Sequence, residues 1–76
     1  MYNIIIWLAL FVSNFDEVLP IYNPNLLFKD KKSCEEYIKT NYSAISLQIE
    51  KQFQFQKDIQ LKEIITMECI IVGSKI

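Results

Sequence analysis

The chain has 76 residues, a formal charge of -1 and a pI near 5.3, with 51% hydrophobic and 22% charged residues. This is the balance of one small globular domain, residues 1–76, near the lower size for a core that folds unaided, and not that of a disordered chain. All eight cations are lysine and histidine is absent, which speaks against a nucleic-acid reader, imidazole-based catalysis and most zinc sites.

Further classes fall away on composition. The only glycine is Gly73, so neither glycine-rich phosphate loop can be built. The nine acidic residues are scattered over predicted polar faces and read as solvation rather than as a paired-carboxylate site. No catalytic, cofactor-binding or metal-ligating set is assigned, and the chain is read as a non-enzyme. The wealth of isoleucine, asparagine, lysine, phenylalanine and tyrosine fits an AT-rich genome.

Ile4 to Val12 is an unbroken apolar run holding Trp7 and Phe11. It is too short for a bilayer, which needs about 20 apolar residues. Its length suits the core of a secretory signal, but no lysine or arginine precedes it and no small-x-small site follows. As a strand it fits well, with β-branched and aromatic residues ended by Ser13, Asn14 and Asp16. Residues 1–15 are thus a strand or an export segment, and the run also leaves membrane contact open.

Val18 to Phe28 holds Pro20 and Pro24, which suits an edge strand or an extended segment. A hairpin with the first run is expected around Asn14 to Asp16, and Asn23-Pro24-Asn25 signals a turn. Tyr22 reads as a packing residue with a wet hydroxyl.

Phe28 to Tyr42 carries the start of an amphipathic helix. Cys34, Tyr37, Ile38, Tyr42 and Ile45 recur at steps of three and four and share one face, while Glu35, Glu36 and Lys39 turn to water. Ser33 with Glu36 fits a capping box, and Asp30 is a rival N-cap.

From Ile45 to Gln56 two patterns compete. The even positions from Ser46 to Gln56 are all polar and the odd ones mostly apolar, which argues for a strand, turning at Lys57-Asp58 into the next. Against this, Ala44, Leu47, Gln48, Glu50, Lys51 and Gln52 are good helix formers, and Ile45, Ile49 and Phe53 continue the helical face. Local pattern leans to strand. The glutamines around Phe53 and Phe55 read as a polar face rather than a base-stacking platform.

Leu61 to Val72 is a strand with Leu61, Ile65, Met67, Cys69 and Ile71 on one side and Ile64, Ile70 and Val72 on the other. Apolar on both faces, it suits a central position. Gly73 to Ile76 reads as a frayed tail.

Cys34 and Cys69 are the disulfide candidate. Buried free thiols are the alternative, while a metal site would need two more ligands from a second chain. Their spacing is not that of a redox pair.

Val18-Leu19-Pro20 through Phe28-Lys29-Asp30, then Cys34-Glu35-Glu36-Tyr37-Ile38 and Met67-Glu68-Cys69-Ile70, resemble small two-cysteine proteins of marine bacteriophages and their bacterial hosts. The resemblance covers most of the chain, with the cysteine neighbourhoods its most specific parts. It implies one continuous helix after the first cysteine, and so a helix over Ile45 to Phe53. It implies no activity and no functional residues. The chain lacks the basic start of exported members, so host cytoplasm and periplasm both stay open.

The fold expected is α+β, a small antiparallel sheet packed against one helix in the order ββαβ. A shorter helix followed by a C-terminal β-hairpin is the alternative. The function expected is that of a small non-enzymatic interaction protein, phage-encoded and acting on a host component through a protein partner. The alternative is an exported, disulfide-stapled structural or envelope-associated domain.

Overall fold

The computed structural model describes residues 1–72; the expected tail from Gly73 lies outside the described residues. Four elements follow in the order β1 (Tyr2–Val12), β2 (Phe15–Tyr22), α1 (Lys31–Gln54) and β3 (Ile59–Ile71). The strands form one antiparallel sheet in the order β2-β1-β3. This is the ββαβ fold expected. The alternative hairpin does not form, because β3 pairs with β1 instead.

The first apolar run is the central strand. Its even positions Ile4, Ile6, Leu8 and Leu10 are buried beneath the helix and, with Cys34 and Ile49, make the core. Period-two alternation sends the odd positions Ile5, Trp7, Ala9 and Phe11 to the other face. The turn into β2 is Ser13-Asn14, both at positive φ (48° and 72°), as a tight two-residue hairpin requires. Asp16, expected in the turn, belongs to β2 opposite Phe11.

β2 is an edge strand, as Pro20 implies, but it ends at Tyr22 rather than at Phe28. The Leu26 N–H donates to the Asn23 carbonyl (3.1 Å) and the Asn25 N–H to Asn23 Oδ1 (3.0 Å), closing the turn. Phe28 then returns to β1, exchanging backbone hydrogen bonds with Tyr2 at 2.8 and 2.9 Å. Buried Asn3 holds this corner: its Nδ2 donates to the Asn23 carbonyl (3.1 Å) and its Oδ1 accepts from the Ile4 N–H (2.6 Å).

Asp30, not Ser33, caps the helix. Its backbone is extended (φ -136°, ψ 164°) and its carboxylate accepts from the Ser33 N–H at 2.7 Å. The capping box fails because Ser33 already lies in the first turn. Cys34, Tyr37, Ile38 and Ile45 face the sheet as expected, and Ile49 and Phe53 extend the stripe. Tyr42, expected among them, lies at its margin and is half exposed. The Phe28 ring rests against Tyr37 with centroids 5.3 Å apart, tying the loop to the helix start. The helix continues to Gln54, against the local alternation, because propagation from a capped start costs less than ending a run with no breaker.

β3 is an edge strand, not the central one. Its register slips twice, between Trp7/Leu8 and between Ala9/Leu10, so that Ile65 and Lys62 are extra residues. Each slip reverses which side the following residues take. The set facing the helix and core is therefore Ile59, Leu61, Ile64, Met67 and Cys69, while Ile65 and Ile71 are exposed.

Candidate interaction surface

The cysteine candidates meet. The first turn of α1 holds Cys34, fully buried, over the far end of β3, where Cys69 faces inward. Their Cα atoms are 6.2 Å apart and their sulfurs lie at disulfide distance. The pair joins the N-terminal end of the helix to the edge strand, across 35 positions of sequence. The Cys69 end of the pair opens on a shallow groove lined by Lys31, Glu35 and Ile38 of α1 with Met67 and Glu68 of β3, and the link itself ties helix to strand as a clasp. Among the described residues no group of three potential metal-ligating side chains occurs, and no helix is long and apolar enough to cross a membrane.

The helix packs on β1 and β3 and leaves β2 uncovered. A cleft of about 430 Å³ opens between α1 and the end of β2, walled by Ile4, Ile6, Ile21 and Ile49 with Gln48 and Gln52 at its lip. Among the described residues, no charged side chain lines it.

The larger feature is the sheet face opposite the helix. The register places Ile5, Trp7, Ala9 and Phe11 along its middle, beside Tyr22, Pro20, Val18 and Asp16 of β2 and Glu68, Thr66, Glu63 and Gln60 of β3. Val18 and Tyr22 are 57% and 62% exposed, so apolar surface runs from the central strand to the β2 edge. Lys62 Nζ donates to Asp16 Oδ1 at 2.9 Å. Since β2 and β3 flank β1, this ion pair reaches across the central strand near Phe11. Glu63 and Glu68 have no ion-pair partner among the described residues.

Both free edges are poor templates for another strand. β2 carries Pro20 and β3 carries two bulges, and proline and bulges are means by which sheets block edge pairing.

Sequence reading placed the cysteines but assigned no role to Trp7 or Phe11 beyond membership of an apolar run. The signal was present: an isolated sheet covered on one side alternates apolar with polar, whereas this run is apolar at odd and even positions alike. No family model, curated protein or solved structure matches the chain.

Proposed function

We propose that this chain is a small non-enzymatic interaction protein whose working surface is the open face of the sheet. The observation that supports the reading best is the central strand, which is apolar on the face that α1 leaves bare. A sheet in so small a domain buries one face to fold; a second apolar face is surplus to folding and suits a protein partner. Trp7 at its middle is the residue type most enriched among residues that dominate binding. The edges being blunted, the partner lies on the face and does not extend the sheet.

The partner is a host component and the chain is phage-encoded on this reading, which rests on the resemblance carried by the two cysteine neighbourhoods. The test compares the chain with a Trp7→Ser/Phe11→Ser variant as baits in lysate of a marine bacterial host. The expected result is one component retained by the first and lost by the second, with unchanged far-ultraviolet circular dichroism. Equal recovery on both baits sinks the reading.

A second reading, an exported and disulfide-stapled domain, is favoured by the meeting of Cys34 and Cys69. On this reading Tyr2–Val12 stays in the mature chain, because its removal takes away the central strand. Intact mass decides: a complete chain lighter by two hydrogens supports it, and a reduced chain recovered without reductant opposes it.

A further inference from the structure

We infer that the open face receives a lysine- or arginine-bearing amphipathic helix of another protein. The inference rests on the reading of that face as the working surface and adds the shape and charge of what covers it.

Shape comes from width. Three strands at about 4.8 Å spacing present a strip about 14 Å across, and one helix with its side chains is about 10–12 Å across. A single helix therefore covers the strip, as α1 covers the other side. Charge comes from the β3 rim. Glu68 lies opposite Ile5 and Glu63 opposite Ala9, the rungs on either side of Trp7. Lys62 is engaged with Asp16, so two carboxylates beside the tryptophan remain uncompensated among the described residues. A cation whose stem lies across Trp7 meets the ring face and the carboxylates together. A second copy of this chain instead brings four such carboxylates into one interface, and an anionic lipid surface is repelled by them.

Trp7 is the only tryptophan and reports directly on the face. The probes are a synthetic leucine–lysine amphipathic helix, its leucine–glutamate counterpart, and phosphatidylglycerol vesicles. Trp7 emission is expected to shift to the blue with the lysine peptide and not with the glutamate peptide. Glu63→Gln/Glu68→Gln is expected to weaken binding roughly three- to tenfold and to flatten its salt dependence. Val18→Lys, on an exposed edge position, is expected to weaken it as well.

Equal binding of the two peptides, or no effect of the glutamine pair, overturns the charge preference; a loss at Val18→Lys then shows that the face reading itself survives. A response to vesicles without a response to the lysine peptide overturns the inference. So does sedimentation of the chain alone as a dimer that buries Trp7. If Val18→Lys leaves the lysine peptide's affinity unchanged, both the inference and the face reading fall.

Discussion

Asp30 holds the start of the helix from a fully exposed position. Its pKa is lowered first by the Ser33 N–H, then by the Ser33 hydroxyl, with Lys32 adding a smaller attraction. A lowered carboxylate contributes stability above its unfolded pKa and loses it as pH falls through the folded one. The wild type is therefore expected to melt slightly above Asp30→Asn near neutrality, since asparagine caps as well but carries no charge toward the helix end. Acidification below about pH 4 is expected to close the gap. A melting-temperature difference that stays constant with pH excludes this account. Both caps could be read from sequence; choosing between Asp30 and Ser33 needed the backbone, because the extended residue decides where the helix begins. The turn was harder to place. Ser13 and Asn14 both adopt positive φ, and serine gives no signal for that conformation.

At the scale of elements, two patterns misled for different reasons. The alternation from Ile45 to Gln56 is real, but Ile45, Ile49 and Phe53 satisfy a helical stripe just as well, and period alone cannot choose between them. Helix is what forms, as far as Gln54. In β3 the two bulges reverse the side-chain alternation, and no residue in Lys62 to Ile65 announces them. The Cys34–Cys69 pairing was legible because a helix start and a strand end each offered one cysteine on an apolar face. A bond between these sulfurs closes a loop spanning 35 positions, which the chain-entropy model values at about 4 kcal/mol as an upper figure. Reductant is thus expected to lower the urea midpoint of the wild type markedly and to leave Cys34→Ala/Cys69→Ala unchanged. A wild-type midpoint indifferent to reductant shows the sulfurs to be buried thiols.

Across the whole molecule, the central strand carries two apolar faces one residue apart. Which strand lies in the middle was not legible, because strand order is set by pairings remote in sequence; both-sided apolarity pointed to Leu61–Val72 as readily as to Ile4–Val12. Once β1 is central, its faces part company: Leu8 is wholly buried under the helix, while Trp7 stands on the open side. Leu8→Ala removes core contacts at a cost of about 2–5 kcal/mol. In a domain whose net stability is on the order of 5 kcal/mol, that leaves little or nothing. Trp7 is partly buried among its neighbours on the open side, so Trp7→Ser gives up cross-strand contact and some apolar burial, on the order of 1–2 kcal/mol. Urea denaturation followed by circular dichroism is expected to show Leu8→Ala largely unfolded and Trp7→Ser folded, with a modestly lowered midpoint. If Trp7→Ser instead collapses as Leu8→Ala does, the tryptophan belongs to the fold of the single chain. The open face then has no apolar surface held in reserve, and the case for a partner upon it loses its physical basis.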